Sequence, residues 1–174
     1  MEIFYSHSFP YNHLLIVSLA YDSSKNHSKY FAFVSIIPGE GPVENRTYNF
    51  NNKISMKFDI RELLSLSIAL RSAAMNSSAN ILPYTKFSKI KDRSKILTVF
   101  KTRDSDNNQR DSDVIVISVA SGNTKYGIKL SIPDAYSIGY IIENMAKFCV
   151  EKDIIDFKTS TIQSKPQIEE EFQF

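Results

Sequence analysis

Two stretches of this 174-residue chain, KISMKFDIRELLSLSIAL at residues 53–70 and KYGIKLSIPDAYSIGYII at residues 125–142, share one pattern 72 positions apart. Identical residues fall at four aligned pairs, Lys53/Lys125, Lys57/Lys129, Ile60/Ile132 and Ser65/Ser137. Each stretch opens with apolar side chains at every second position, the period of a half-buried strand, and then changes to a helical pattern. The repetition predicts an internal duplication.

A capping box separates the predicted strand from the predicted helix in both copies. Asp59 stands three residues before Glu62, and Ser131 stands three residues before Asp134. The cap oxygen can accept from a free amide of the first turn, and the following acid lies near the positive end of the helix. We therefore predict helices over residues 60–75 and 132–152.

Apolar runs bounded by turn-forming residues predict the strands. They cover residues 13–21, 29–37, 46–50 and 53–58 in the first half, and 84–91, 96–103, 113–120 and 125–130 in the second. The predicted fold is α+β, a tandem ββββα repeat with two antiparallel four-stranded sheets and two helices. We assign one domain to residues 1–155, with repeats at about 13–75 and 82–152, and a flexible acidic tail to residues 156–174.

This element order resembles that of the Whirly family of single-stranded-DNA-binding proteins. It is also similar to transcriptional coactivators that form the same unit as a dimer, and to Pur-repeat proteins. The resemblance covers residues 13–152 and rests on element order and repeat length, whereas the Lys-Gly-Lys-rich signature of plant Whirly proteins is absent. It implies two sheets with helices packed between or behind them, and strand faces that hold unpaired nucleic acid.

Cations and aromatic rings alternate along several predicted strands. Binding an unpaired strand requires cations for the phosphates and flat side chains on which bases stack. Residues 84–103 carry seven basic residues against one acid, Asp92, and contacts with several phosphates would make binding strongly salt-dependent. The candidate nucleic-acid-binding residues are Lys29, Phe31, Phe33, Lys57, Tyr84, Lys86, Lys89, Lys91, Arg93, Lys95, Phe100, Lys101, Arg103 and Lys129.

Some of these aromatic residues could instead belong to the core. We predict core positions for Phe58, Phe87 and Phe148, whereas for Phe31, Phe33, Tyr84 and Phe100 both interpretations stay open. The lysines could likewise form an ordinary solvated face. Lys57 and Lys129 lie opposite the apolar side of their strands, so we expect them to project from the same surface of each repeat.

The chain ends in IEEEFQF, residues 168–174. This ending resembles the acidic, aromatic-ended tails of bacterial and bacteriophage single-stranded-DNA-binding proteins. The resemblance implies that the tail occupies the cationic groove when DNA is absent and binds replication partners when DNA displaces it. A purely solubilising tail is the alternative. The residues assigned to partner binding are Glu169, Glu170, Glu171, Phe172 and Phe174.

Nothing in the sequence favours catalysis, a metal or a cofactor. His7, His13 and His27 lack metal-ligand spacing with other ligand residues, and the single cysteine, Cys149, lies on an apolar helical stripe. The chain also lacks an apolar run of about 18 residues and a signal-peptide pattern. We expect a non-enzymatic protein of the cytoplasm of a bacterial or virus-infected cell, without membrane contact.

The sequence thus predicts a sequence-tolerant single-stranded-DNA-binding protein that acts in replication, recombination or repair. Its tail would recruit replication or recombination proteins, and its apolar helices predict a homo-oligomer. An RNA-binding or transcription-regulating module is one alternative. A structural or adaptor protein that uses the aromatic faces for protein contacts is another.

Overall fold

The computed structural model describes residues 1–22, 30–76, 83–90, 93–104 and 112–163, without the side chains of 90, 93, 104 and 157–163. The described residues form two antiparallel sheets and two helices. The predicted α+β class is therefore confirmed.

The first sheet and helix come from the first half of the chain. The strands are β1 (Glu2–Pro10), β2 (His13–Tyr21), β3 (Tyr30–Glu40), β4 (Thr47–Tyr48) and β5 (Ile54–Phe58). They are arranged in the order β1-β2-β3, and β3 pairs with the two-residue β4 near one end and with β5 along its length. Helix α1 (Ile60–Met75) follows β5 directly.

Among the described residues, the second sheet has the predicted four strands, whereas the first sheet has five, so the prediction of four strands is wrong for the first sheet. The strands of the second sheet are β6 (Tyr84–Ile90), β7 (Arg93–Asp104), β8 (Ser112–Ser121) and β9 (Thr124–Leu130), paired in sequence order. A tight turn joins β8 to β9, and Gly122 supplies the positive φ of 57° that it requires. Helix α2 (Ile132–Gln163) follows β9.

Two strand predictions in the first half differ from the structure. Strand β1 was not predicted. Its register with β2 shifts between Ile3 and Tyr5, so apolar side chains do not alternate regularly along it. The predicted strand at 46–50 is limited to β4. The Asn49 side chain accepts a hydrogen bond from the Asn51 amide and begins a 3-10 turn at Phe50, which ends the extended backbone.

Helix α2 is longer than predicted. It continues to Gln163, so the prediction of a flexible segment from residue 156 is wrong for residues 156–163. The Tyr30 hydroxyl of β3 donates to the Asp156 carboxylate at 2.9 Å and ties this part of the helix to the first sheet. Residues 164–174, including the acidic tail, lie outside the described residues.

Both helices pack on the apolar sides of the sheets. In the first repeat, Val17, Val34 and Phe58 are buried against α1 residues such as Leu66. In the second repeat, apolar residues of β7, β8 and β9 are buried with the predicted apolar stripe of α2, which includes Cys149. We call the opposite side of each sheet its outward face.

Both predicted helix caps are present. The Glu62 amide donates to the Asp59 carboxylate, and the Asp59 amide donates to the Glu62 carboxylate, each at 2.8 Å. In the second repeat, the Asp134 amide donates to the Ser131 hydroxyl at 3.2 Å, and that hydroxyl donates to the Asp134 carboxylate at 2.7 Å. The capping signal therefore placed the start of each helix correctly.

The two helices contact each other at equivalent positions. The Ser67 hydroxyl donates to the Gly139 carbonyl at 2.8 Å, and Arg71 forms an ion pair with Glu143. The residues of each pair are 72 positions apart, the offset of the sequence repeat. A residue that meets its own equivalent is the mark of a two-fold relation, so a pseudo-two-fold axis passes through the helix crossing.

Candidate nucleic-acid interface

The outward face of the second sheet is built by strand alternation. On β7, Leu97 and Val99 are buried toward the helices, so Ile96, Thr98 and Phe100 face outward. Strand pairing extends these positions into rows across the sheet. The two rows that contain aromatic residues are Phe87–Ile96–Ala120–Lys125 and Phe100–Val116–Lys129.

These rows end at lysines and begin at aromatic rings. Phe87 is 59% exposed, Phe100 is half-buried, and Lys125 and Lys129 are exposed. The prediction of a core position for Phe87 is wrong, because its strand directs alternate residues outward and Phe87 has the outward parity. Lys89, two residues further along β6, is also exposed on this face.

The outward face of the first sheet carries the equivalent row Ser6–Ser18–Phe33–Lys57. Lys57 Nζ lies 3.7 Å from the centre of the Phe31 ring, and that ring makes an edge contact with Phe33 at 5.4 Å. Phe31 is only 3% exposed, so it supports the surface from beneath. Of these three side chains on β3 and β5, Phe33 and Lys57 are the ones accessible to solvent.

Lys57 and Lys129 occupy equivalent positions in the two sheets. Each lies on the last long strand before a helix, is exposed, and is flanked by buried residues that face the helix: Met56 and Phe58 in one repeat, Ile128 and Leu130 in the other. The pseudo-two-fold relation therefore gives each outward face a lysine at the same register.

Three other predicted lysines lie on the helix-facing side of the second sheet. The Lys86 side chain is 9% exposed, forms an ion pair with Glu62 of α1, and lies 4.8 Å from the centre of the Phe58 ring. Lys95 Nζ donates to the Ser55 carbonyl of β5 at 2.8 Å. Both lysines join the second repeat to the first.

Lys101 has a similar place near the other end of β7. Its side chain is 5% exposed, its Nζ donates to the Asn76 carbonyl at the end of α1 at 2.8 Å, and it lies 2.9 Å from an Asp113 oxygen. We call the helix crossing together with Lys86, Lys95 and Lys101 the repeat interface. The prediction that these lysines bind nucleic acid together with the outward ones is not supported by this arrangement, because charge clustering in a sequence does not show to which side of a sheet a side chain points.

Tyr84 belongs to the same side of the sheet. It is half-buried, its hydroxyl donates to the Glu62 carbonyl at 3.4 Å, and burial together with the charge of Glu62 raises its pKa to about 12. Arg103 is exposed near the end of β7. Lys29, Lys91 and the tail residues Glu169, Glu170, Glu171, Phe172 and Phe174 lie outside the described residues, as does the side chain of Arg93.

A polar groove between the two sheets was missed by the sequence analysis. It has a volume of about 380 Å³ and lies between the turn at Asn51 and Asn52 and the β8–β9 turn at Gly122. Lys53 contributes to it, as do side chains at the ends of β7 and β9. The polar turn sequences were the available signal, but they do not show that the two turns meet.

Apolar side chains remain exposed on the helices. Ile68 on α1, and Tyr136 and Tyr140 on α2, are exposed on either side of the helix crossing. Phe148 is 42% exposed, so its predicted core position is wrong. It borders a cavity of about 370 Å³ with Phe4 and Tyr5 of β1, the strand that the sequence analysis did not assign.

Two potential catalytic groups, His13 and Cys149, are half-buried and buried respectively. Burial, with the charge of Arg46, lowers the pKa of His13, whose Nδ1 accepts a hydrogen bond from the Gly39 amide at 3.1 Å. Burial, with the charge of Asp153, raises the pKa of Cys149 to about 11. Across the described ranges, no cluster of three or more His, Cys, Asp or Glu residues could hold a metal ion.

None of the helices in the described part of the chain has the length and apolar character that a bilayer crossing requires.

Comparison with known proteins identifies the fold. The structure is similar to a crystal structure of WHY1 from Arabidopsis thaliana, with a TM-score of 0.57 over 95% of this chain and 97% of that chain, at 14% sequence identity. The chain matches no family model and no curated protein sequence. The two antiparallel sheets and two helices therefore form a Whirly-like fold, as predicted. At this identity, the likeness concerns the fold alone.

Proposed function

We propose that this protein binds single-stranded nucleic acid, and DNA in particular, across the outward faces of its two sheets. The observation that carries the proposal is the pair of equivalent lysines, Lys57 and Lys129, which lie in rows with the aromatic residues Phe33 and Phe100. Cations at the same register on two related faces suit a ligand with regularly spaced phosphates.

The aromatic residues supply the second requirement. Phe87 and Phe33 are accessible, and stacking of a base on such a ring contributes about 1–3 kcal/mol with little sequence preference. Lys86 and Lys101 do not belong to this surface, because they pair with Glu62 and Asp113 on the helix-facing side of the second sheet.

The fold likeness supports the same conclusion. The order of strands and helices resembles that of the Whirly family, whose members bind single-stranded DNA, and the structure has a Whirly-like fold. Fold alone does not define function, so the residues on the outward faces carry the argument.

We further propose a role in replication, recombination or repair in the cytoplasm of a bacterial or virus-infected cell, without enzymatic activity. Glu169, Glu170, Glu171, Phe172 and Phe174 would compete with DNA for the cationic faces and recruit a replication or recombination protein. Deletion of residues 168–174 should then tighten DNA binding, and an unchanged affinity would contradict the competition.

The exposed apolar residues at the helix crossing support the proposal of a homo-oligomer. Ile68 and Tyr140 occupy equivalent positions in the two repeats and are 62% and 53% exposed. A second copy that covers them would extend the apolar contact beyond the single chain. Light scattering should give a mass above that of one chain, and Ile68→Glu with Tyr140→Glu should reduce it to one chain.

Titration of labelled single-stranded oligo-dT, followed by fluorescence anisotropy, tests the central proposal. Binding should be tight at low salt and should weaken steeply as salt rises. Competition with the corresponding RNA and with duplex DNA separates the DNA proposal from an RNA-binding or transcription-regulating module. No binding of any of the three at low salt would contradict the proposal and favour an adaptor that uses these faces for protein contacts.

A further inference from the structure

The outward face of the first sheet contains a cavity that the second sheet does not reproduce residue for residue. Its volume is about 320 Å³, within the range of small-molecule sites. Serines of β2, β3 and β5 line it, together with the rings of Phe33 and Phe50 and the side chain of Lys53. The rest of its lining is aliphatic and consists of Met1, Ile3, Ile16 and Ile37.

The serines are arranged as hydrogen-bonded pairs. The hydroxyls of Ser35 and Ser55 lie 2.6 Å apart, and those of Ser6 and Ser18 lie 2.7 Å apart. Each pair holds two hydroxyl protons, and one of them suffices for the bond within the pair. In the Ser35–Ser55 pair, whose two members both line the cavity, the second proton and the remaining lone pairs can serve a ligand, so the cavity can both donate to and accept from a polar edge.

Two aromatic rings border the same cavity. Phe33 is half-buried on β3, whereas Phe50, on the 3-10 turn before β5, is 57% exposed. Hydroxyls that can hydrogen-bond and rings that can stack are the two contacts by which proteins hold an unpaired base.

Lys53 connects this cavity to the polar groove between the sheets, because its side chain lines both. None of the described side chains that line either of them is a carboxylate. A phosphate at Lys53 would therefore link a nucleotide in the cavity to its neighbour in the groove without repulsion from a lining acid.

The equivalent positions of the second sheet lack these groups. Strand pairing places Gly127 where the first sheet has Ser55, and Val116 where it has Phe33. Ser118, the equivalent of Ser35, is present but faces a glycine across the strand pair. The first sheet thus has a ring and two facing serines where the second sheet has a valine and a serine that faces a glycine.

We infer that the serine-lined cavity of the first sheet holds one unstacked base of the bound strand, with Lys53 on the adjoining phosphate. The inference rests on the proposed function and deepens it. The second sheet provides stacking and charge, whereas the cavity recognises the polar edge of a base and gives the protein a preference among bases.

Two variants test the cavity without removing the charge. Ser35→Ala with Ser55→Ala removes both members of a hydrogen-bonded pair, so no hydroxyl loses its partner and the fold should tolerate it. Phe50→Ala removes the exposed ring. Each should weaken oligo-dT binding by between about fivefold and 100-fold, the size expected for one base contact, while the slope of log affinity against log salt stays unchanged.

Matched variants serve as controls. Ser118→Ala, at the equivalent position of the second sheet, should bind oligo-dT as the wild type does. Lys53→Gln should reduce the salt slope by about 0.7, the value for one phosphate contact on a single strand. The wild type should also differ in affinity among oligo-dT, oligo-dC and oligo-dA, and the double serine variant should reduce those differences. Urea denaturation checks that every variant is folded.

The outcomes separate the inference from the proposed function. If the wild type binds oligo-dT and the cavity variants match it in affinity and base preference, the cavity is not a base site, although the outward faces remain the binding surface. If Ser118→Ala weakens binding as much as the double serine variant does, the inference is likewise wrong. If the wild type binds no single strand, the inference and the proposed function fail together.

Discussion

Lys101 and Lys129 belong to the same sheet but lie in opposite environments. Lys101 points toward the helices, is almost buried, and holds Asp113 and the end of α1. Lys129 lies on the outward face and is exposed. The comparison shows that the basic residues of this sheet fall into two groups, one of which stabilises the repeat interface while the other lies on the outward face, where we propose that it contacts nucleic acid. Strand parity decides to which group a lysine belongs.

Substitution of a glycine should give the largest difference in stability between the repeat interface and the outward face. A Cβ atom at residue 139, in the helix crossing, would lie 2.7 Å from Arg71 Cγ and 3.0 Å from the Ser67 carbonyl oxygen. Gly139→Leu should therefore lower the free energy of unfolding by about 2–3 kcal/mol through overpacking, as measured by urea denaturation.

Gly127→Leu is the matched control on the outward face. The nearest atom to a Cβ there is Val116 Cγ1 at 3.8 Å, an ordinary contact. Its effect on the free energy of unfolding should stay within about 0.5 kcal/mol. Equal losses in the two variants would show that the helix crossing is not more tightly packed than the outward face.

The two groups of lysines should separate stability from binding. Lys101→Gln should lower the free energy of unfolding by about 1–2 kcal/mol, a figure reduced by the partial exposure of Asp113, and should leave oligo-dT affinity unchanged. Lys57→Gln with Lys129→Gln should lower the free energy of unfolding by at most about 1 kcal/mol, the size of an exposed contact such as that of Lys57 with the Phe31 ring. The same double variant should lower the salt slope of binding by about 1.4. If Lys101→Gln weakens binding and the double variant lowers stability instead, the division of the lysines into two groups is wrong.

The caps of the two helices provide a smaller test. Asp59 and Glu62 exchange two hydrogen bonds with each other's backbone amides, and Glu62 also pairs with Lys86 of the repeat interface. At the second cap, the Ser131 hydroxyl instead donates to the Asp134 side chain. Asp59→Ala should cost about 1–1.5 kcal/mol and Ser131→Ala about 0.5–1 kcal/mol in urea denaturation. A larger loss for Ser131→Ala would show that the coupling of the first cap to the interface adds nothing.

The smallest effect concerns pH. His13 contacts Tyr126 across the two repeats, with ring centres 5.4 Å apart, and its pKa is lowered by burial and by Arg46. Because the unfolded chain takes up this proton more readily, the neutral imidazole stabilises the fold above about pH 6.5, and this contribution is lost as the pH falls below that value. Protonation of Nδ1 would also break its bond with the Gly39 amide.

In His13→Gln, the urea midpoint of unfolding should fall less between pH 7.5 and pH 5.5 than it does in the wild type. His7→Gln is the matched control. If both variants decline as the wild type does, His13 does not contribute to the acid sensitivity.

The repeated strand-cap-helix unit could be predicted because its determinants are local. Asp59 and Glu62 satisfy each other within one turn, so their spacing in the sequence carries the information. The repeat interface could not be predicted, because Lys86 meets Glu62, and Lys95 meets Ser55, only after two sheets have packed. Strand β1 was missed for a related reason, since the shift between Ile3 and Tyr5 disrupts the alternation that reveals a strand.

The candidate site was half accessible to sequence reasoning. The 72-residue offset selected Lys57 and Lys129, and the structure places both on outward faces. Charge clustering also selected Lys86, Lys95 and Lys101, but these lysines lie at strand positions that face the helices. The serine pairs depend on the register of neighbouring strands, which the sequence does not reveal, and a serine in a strand carries no distinctive pattern.

The ion pair at the helix crossing explains an advantage of joining both halves in one polypeptide. In a symmetric assembly of two identical single-repeat subunits, a residue on the two-fold axis meets its own copy, so Arg71 would face arginine and Glu143 would face glutamate. Covalent linkage lets the two positions evolve separately, and here they have become opposite charges. For the same reason, the first sheet can carry serine pairs and the second sheet rows of aromatic residues, because a substitution in one repeat is not copied into the other.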